Sequence, residues 1–499
     1  MLIRSLIGGS KMFSFKGFYL LSFASLFALA SCIDGFAQQS GGGRAEPEPV
    51  RTESRVRRVT KPAVKRTAPK RTVTTAKTAE TLEAEADKLF DSGDHDSALA
   101  VYQSAVKVKP LLKSLYRIGW IHNEFEQYSE ALIALNRAAA IGPNEAVVFL
   151  EKGYAHRRLK QNNEALAALK KSVTLDPKSY IATYELGALH NDLGQYRDAV
   201  TSLSQSVANR SDYSESYEEL GFAQRKLGLN NEAIISFRNS IRIDATNSGA
   251  FMGLGDAFFY GTKNYNEALD PYLKGLEYAP ENQIAAYNVA WIYNENKNYT
   301  EALRWANRAI KIKPDYYQAY SEIGYANTKL GRTDAAMAAY QTALRYKPDD
   351  ANSHFGIGDI YFDNVKNYPL ALASYTKGLS YSPKNQTALY RSGWCYNNQK
   401  RYQEAITILQ SLITINNKPA HYHREIGFSY WQLNRVAEAM TSLNRAVQLN
   451  PDEAASHYYL GLIYVGQRNR EAAMRCYREL ARLNYANAPT LLDRINAMR

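Results

Sequence analysis

The chain has 499 residues, 45% of them hydrophobic and 22% charged, which supplies a large core and an ordinary charge load for a globular protein. Its formal net charge of +12 is uneven: residues 1–39 carry +2, residues 40–77 carry +8, and everything from Thr78 onward carries +2. The basic excess belongs to one short segment, which removes most of the support for a nucleic-acid face, and three cysteines (Cys32, Cys395, Cys476) do not make a disulfide framework.

Residues 1–37 read as an export signal. Arg4, Lys11 and Lys16 give a positive start, and residues 18–30 (FYLLSFASLFALA) form an apolar run of 13, short for a bilayer span and right for a signal core. Two processing outcomes are open beside an uncleaved anchor. Leu29-Ala30-Ser31-Cys32 resembles a bacterial lipobox, which would make Cys32 a lipidated N-terminus; Gly35-Phe36-Ala37 instead offers small residues for cleavage before Gln38. Either outcome places the protein in the bacterial periplasm, at the outer membrane through the lipid, or in the medium. Residues 38–78 are rich in Arg, Lys, Thr, Ala and Pro and have almost no large hydrophobic residue beyond valine. Such a segment cannot offset the entropy of folding and reads as a disordered basic tether, or as an arm touching anionic lipid or cell-wall polymer.

From residue 79 to 485 the chain repeats with a period of 34. The stretch 282–314 shows the unit. Ala286, Val289, Ala290 and Tyr293 form one apolar helical stripe, Ala302, Ala306, Ala309 and Ile310 a second, Asn298 and Glu301 make a capping box between them, and Pro314 closes the unit. The second-helix alanine returns as Ala98, Ala131, Ala165, Ala199, Ala233, Ala268, Ala302, Ala336, Ala371, Ala405, Ala439 and Ala473, and each repeat is named here by it. A first-helix glycine stands twelve residues earlier in most units, for example Gly119, Gly153, Gly393 and Gly427. At Gly255 and Gly358 the gap is thirteen, which implies a one-residue insertion in the turn. Pro110, Pro143, Pro177, Pro280, Pro314, Pro348, Pro383 and Pro451 close eight units.

A large residue, then Leu-Gly, an aromatic, a small Ala, an aromatic, a further Ala and Pro make a pattern that resembles the tetratricopeptide repeat. Tyr320, Ile323-Gly324, Ala336, Tyr340, Ala343 and Pro348 show it well. The resemblance covers twelve units, with local departures: Ala86 and Ala290 replace the glycine, and Ser211, Ala245, Asn417 and Tyr485 replace the proline. It implies an all-α fold, a right-handed α-solenoid in which Gly and Ala let paired helices approach and each hairpin stacks on its neighbours. A longer period of 103 residues relates Gly255-Asp256, Tyr272, Trp291 and Glu322 to Gly358-Asp359, Tyr375, Trp394 and Glu425, a duplicated block of three repeats. Residues 486–499 place Leu491, Leu492, Ile495 and Met498 on one side of a closing helix, a C-terminal cap.

No H-E-x-x-H, G-x-S-x-G, P-loop or C-x-x-C motif occurs, so the reading is of a non-enzymatic protein with no cofactor and no metal. His122, His156 and His190 recur at a spacing of 34, but sister repeats carry Tyr293, Tyr361 and Tyr396 there, which points to packing. A second stripe runs beside the core stripe on the first helices. It is complete in three repeats, as Tyr116-Trp120-Asn123, Tyr287-Trp291-Asn294 and Tyr390-Trp394-Asn397. Tyr154, Tyr184, Phe222, Tyr325, Phe355, Phe428 and Tyr458 continue it. Because a separate set already fills the core, these residues look surplus to stacking; the competing account is that they pack between repeats. By resemblance they line the groove that holds extended peptides, the aromatics as anchors and Asn pairing the ligand backbone. The expectation is an exported scaffold of the cell envelope that grips other proteins by extended segments. The alternative is a cell-wall glycan-binding lipoprotein, with sugars stacked on the tryptophans.

Overall fold

A computed structural model describes residues 77–498. The signal, the lipidation candidate Cys32 and nearly all of the tether lie outside the described residues. The rest is helical, with no strand among the described residues, and it divides into two compact units, 77–330 and 331–498. The first unit holds seven helical hairpins and then the single helix Tyr317–Lys329. The second opens with Thr333–Tyr346, continues through four hairpins and closes with Ala488–Asn496. No described helix is long and apolar enough to cross a membrane.

Within a hairpin the glycine sets how close the helices come. A Cβ on Gly119 would lie 2.4 Å from Leu135 Cγ, and one on Gly393 would lie 2.5 Å from Leu409 Cγ. Glycine therefore seats the leucine that follows the repeat alanine by four residues, and Leu135 and Leu409 are fully buried. The helices are joined by one left-handed residue. It is glycine at Gly93, Gly194 and Gly228, and a lysine held at φ 60° at Lys297. Lys297 N donates to Asn294 O and Asn298 N to Tyr293 O, which satisfies the last carbonyls of the first helix. Asn298 Oδ1 then accepts from Glu301 N at 3.3 Å and caps the second helix.

The two insertions do not sit in the turn. Lys263 and Lys366 hold the same left-handed turn as Lys297, and the extra residue is absorbed upstream as π-helical ends, Ala257–Thr262 and Ile360–Val365. The bond that spans five residues elsewhere spans six here, from Asn264 N to Phe258 O and from Asn367 N to Tyr361 O. Widening one helical turn keeps the turn geometry that the second helix needs, so the helix gives way rather than the connection.

Consecutive first helices touch one another through most of each unit, whereas consecutive second helices are held less closely. The first helices therefore line the narrower, inner face of each unit. At the far end of the second unit Leu491 and Ile495 are fully buried, and Leu491 Cδ2 would lie 2.5 Å from a Cβ on Gly461. The closing helix thus supplies the leucine that a second helix supplies elsewhere.

Candidate functional site

The aromatic residue that follows the first-helix glycine meets the first residue of the preceding repeat's second helix. Trp291 lies edge-on to Tyr265 at 4.7 Å between ring centroids and to Phe259 at 5.1 Å. Trp394 meets Tyr368 at 4.8 Å and Phe362 at 4.9 Å; Trp120 meets His95 at 5.5 Å and Phe90 at 5.0 Å. Tyr154 faces Tyr128, Phe222 faces Tyr196, Tyr325 faces Tyr299 and Phe428 faces Tyr402, all at 6.2–6.4 Å. Where the ring is missing, at Ala188, Asp256, Asp359 and Leu462, the opposing residue is Asn162, Asn230, Thr333 or Val436. The two positions change together, as partners across a seam do. Trp291 is only 6% exposed, while Trp120 and Trp394 are half-buried.

The rings three residues before the glycine lean the other way, toward the next repeat. Tyr287 meets Tyr316 at 5.6 Å, Tyr184 meets Tyr213 at 5.3 Å, and Tyr390 meets His421 at 4.9 Å. Phe355 is the exception: it is buried inside its own hairpin, with a ring carbon 2.4 Å from where a Cβ on Gly378 would lie. Tyr116 is half-buried, with Arg117 5.8 Å from its ring centre, and Tyr458 lies 6.0 Å from Tyr485. The second stripe is thus not surplus to stacking. The apolar core seals each hairpin, and most of this stripe joins hairpin to hairpin, chiefly through T-shaped ring contacts.

The asparagines are committed as well. Asn294 Nδ2 donates to Glu322 O at 3.2 Å and to Glu322 Oε2 at 2.9 Å, in the following repeat. Asn123 does the same to Glu151, Asn397 to Glu425, and Asn191, outside the three triplets, to Glu219. Arg157 takes the same place and donates Nη1 to Glu185 at 2.8 Å, with its Nε on Asp192 at 2.8 Å. Amides expected to pair a ligand backbone instead pair one repeat to the next. Burial, reinforced by the charge of Glu185, pushes the Glu151 carboxyl up to about 7 against the lowering effect of the Asn123 bond.

A buried phenol–carboxylate pair precedes each complete triplet. Tyr272 Oη donates to Asp256 at 2.8 Å, Tyr375 to Asp359 at 2.7 Å and Tyr102 to Asp87 at 2.7 Å. Burial first, then the carboxylate, holds the Tyr272 and Tyr375 phenols well above their ordinary range. The third pair shows that the block duplicated at 103 residues has a further likeness at the start of the array. The likeness is hidden in the sequence because Ala86 stands where the sister repeats have glycine; its signal is Asp87 beside Ala86, in register with Asp256 and Asp359.

The histidine ladder is a packing and capping device. His122, His156 and His190 each place Nδ1 2.6–2.7 Å from the Oε1 of Gln127, Gln161 and Gln195, so Nδ1 carries the proton that the amide oxygen accepts. No group of three His, Cys, Asp or Glu among the described residues is placed to hold a metal ion. Cys395 and Cys476 are buried thiols, pushed up to about 12 and about 11 by that burial.

Comparison with known proteins agrees with this architecture. Models described as "Tetratricopeptide repeat" match residues 83–146, 146–179, 214–247, 252–317, 365–424 and 454–487, and one described as "TPR repeat" matches 324–365 and 430–467. The chain is 33% identical over 89 residues to the small glutamine-rich tetratricopeptide repeat-containing protein 2 of Saccharomyces cerevisiae, which is 18% of this chain and 26% of that protein. It is 30% identical over 101 residues to the heat shock protein sti1 homolog of Schizosaccharomyces pombe (20% and 17%), and 30% identical over 95 residues to serine/threonine-protein phosphatase 5 of Rattus norvegicus (19% and 19%). The matched stretches span about a quarter or less of those relatives. Among solved structures, the Cut9–Hcn1 hetero-tetramer of APC/C is 15% identical, with 84% of this chain and 96% of that chain covered and a TM-score of 0.37. YrrB, titled a TPR protein with an unusual peptide-binding site, is 21% identical, with 37% and 95% covered and a TM-score of 0.34. With family matches over well more than half of its length, the chain belongs to the tetratricopeptide-repeat family.

Proposed function

We propose that the protein is a non-catalytic scaffold that binds extended segments of other proteins along the inner, first-helix face of its units. The observation that carries this reading is the row of half-buried rings, Tyr116, Trp120, Tyr154, Tyr184, Phe222, Tyr325, Tyr390, Trp394 and Phe428, on that face. All but Tyr116 meet a ring of a neighbouring repeat, and each offers a partner one edge. A ring already fixed in place loses little rotamer entropy on binding, which is what a pre-organised anchor needs. Trp291, Tyr287, Phe355 and the three triplet asparagines support the face from beneath.

The glycan alternative needs an open tryptophan face for a sugar to stack on. Trp291, Trp120 and Trp394 are each engaged by two rings, which weighs against it. The cell-envelope setting rests on the signal-like residues 1–37 and on Cys32. Mass spectrometry of the mature N-terminus tests it: a diacylated Cys32 supports the lipid anchor, and a free Gln38 start sinks it.

The binding reading is tested with an array of extended peptides from envelope proteins, probed with the full chain. Tyr154→Lys with Phe428→Lys on the inner face should abolish binding, while Ile133→Asp with Ile235→Asp on exposed second-helix positions should not. Equal loss in both variants, with helicity unchanged, would place the interaction elsewhere.

A further inference from the structure

We propose that the groove between the last two second helices of the second unit, Val436–Leu449 and Arg470–Arg482, seats one aromatic side chain of a protein partner, a Trp or Phe with acidic neighbours. This surface is separate from the inner, first-helix face, and the inference does not rest on the scaffold reading above.

The first unit fills the equivalent groove from within. Trp305 stands three places after its repeat alanine on the second helix Tyr299–Ile312 and is 6% exposed. The Arg304 guanidinium lies 4.8 Å from the centre of its ring and that of Arg308 lies 4.9 Å from it. Arg308 Nη2 also donates to Leu276 O at 3.3 Å and to Pro280 O at 3.1 Å, at the end of the preceding repeat's second helix and just beyond it. The indole therefore lies between consecutive second helices, beneath an arginine that spans them. Its N–H is buried without a hydrogen-bond partner, so this seat holds a ring by its faces and not by a donor.

The last repeat keeps the groove and lacks the filling. Cys476 is in register with Trp305, Glu479 with Arg308 and Ala472 with Glu301. Glu479 turns to Arg482, 2.7 Å away. A cavity of about 430 Å³ is left, walled by Val447, Leu460, Tyr464, Ala472 and Cys476, a size and lining suited to a ring. Arg475, in register with Arg304, stands on its rim. Arg304 lies over Trp305 while keeping an exposed ion pair with Glu301, and Arg475 has the same freedom beside its exposed pair with Glu471. Arg478, on the same rim, is exposed and has no ion pair among the described residues. Two arginines against one glutamate that Arg482 already holds give the rim a positive balance, which favours acidic over basic neighbours of the incoming ring.

The test uses the full chain and labelled ten-residue peptides of Gly and Ser, read by fluorescence anisotropy. Their central residue is Trp, Leu or Ala flanked by Glu, or Trp flanked by Lys. Wild type should bind the Glu-flanked Trp peptide at least about tenfold more tightly than the Ala peptide, the least expected of burying a ring beneath a guanidinium, and more tightly than the Lys-flanked one. Cys476→Trp fills the seat as the first unit does and should lose this binding without melting lower. Arg478→Glu, an exposed change, should remove the preference for Glu flanks and keep that for Trp over Ala. Tyr154→Lys with Phe428→Lys, on the inner face, should change neither. The seat is overturned if no peptide binds wild type, if Leu serves as well as Trp, or if binding survives Cys476→Trp. Loss of binding in the inner-face variant would move the peptide to the first helices and overturn it as well. Should Cys476→Trp fail to fold, Arg478→Glu decides, and an unchanged flank preference there overturns the seat.

Discussion

The Ala268–Ala302 junction of the first unit and the Ala371–Ala405 junction of the second fill one slot with opposite strategies. In the first, Asn288 lies beneath the Tyr272 phenol, donating Nδ2 to it at 3.0 Å and accepting from Tyr260 Oη at 3.1 Å. In the second, Arg391 stands at the same place and Asp363 replaces Tyr260; Arg391 Nη1 reaches Asp359 and Asp363 at 2.8 Å each and Tyr375 Oη at 3.2 Å. The copies share the phenol–carboxylate pair, the phenylalanine beneath the tryptophan and the π-helical end. The seam therefore tolerates a neutral or a charged filling, provided that both sides of the junction change together. A buried cation is acceptable only with its carboxylates, and a neutral amide only with a neutral partner.

The largest expected effect comes from breaking that match. Arg391→Asn alone leaves Asp359 and Asp363 facing an amide and should cost about 3–5 kcal/mol, the usual cost of unpairing a buried ion pair. Adding Asp363→Tyr rebuilds the first unit's arrangement and should recover most of it. Hydrogen exchange of the two hairpins reads this locally, which suits an array whose repeats open separately. Next comes Trp291→Ala, expected to cost about 3–5 kcal/mol for a buried tryptophan, with Trp394→Ala smaller because that ring is half-buried.

A smaller effect separates the two units by pH. Glu151, in the first, has its carboxyl raised to about 7, so the folded state holds this proton more tightly than the unfolded chain does. The contribution is present in full below the ordinary carboxyl range and is lost as pH rises through about 7. Glu151→Gln should flatten the fall in melting temperature between pH 5 and pH 8 that this group gives wild type; an unchanged slope would exclude it.

The smallest effect is a gain. Asn397 Oδ1 accepts from Ser429 Oγ at 2.6 Å, whereas Asn123, Asn191 and Asn294 have a buried Oδ1 with no partner. The residue in register with Ser429 is alanine in each case, Ala155, Ala223 and Ala326. Ala326→Ser should add about 1 kcal/mol by copying the second unit's solution into the first. No gain in protection of the Ala302 repeat would show that the orphan oxygen is satisfied in some other way.

Much of the fold was legible in the chain. The alanine period located the hairpins, the glycine twelve residues ahead marked the close approach later seen at Leu135 and Leu409, and Leu491 and Ile495 marked the closing helix. The candidate site was legible as a pattern but not as a role. Helical periodicity within one unit separates the core stripe from the Tyr-Trp-Asn stripe, and nothing within a unit shows what covers the second. Its cover lies 25 or 26 residues upstream, at His95, Tyr265 and Tyr368, an offset that belongs to stacking rather than to a helix turn. Reading those columns together shows the rings and their partners changing in step. The π-helical ends were hidden for a different reason: a thirteen-residue gap counts one extra residue, and turn and helix can both absorb it.

A seam of rings between repeats requires that Tyr265 and Trp291 be energetically coupled, which a double-mutant cycle measures. Tyr265→Ala, Trp291→Ala and the double variant would be compared in the full chain by hydrogen exchange across the Ala268 and Ala302 repeats. A coupling of about 0.5–1.5 kcal/mol is expected, the range for an edge-to-face pair, with protection lost on both sides of the junction by either single change. Additive effects, with each loss confined to its own repeat, would contradict it.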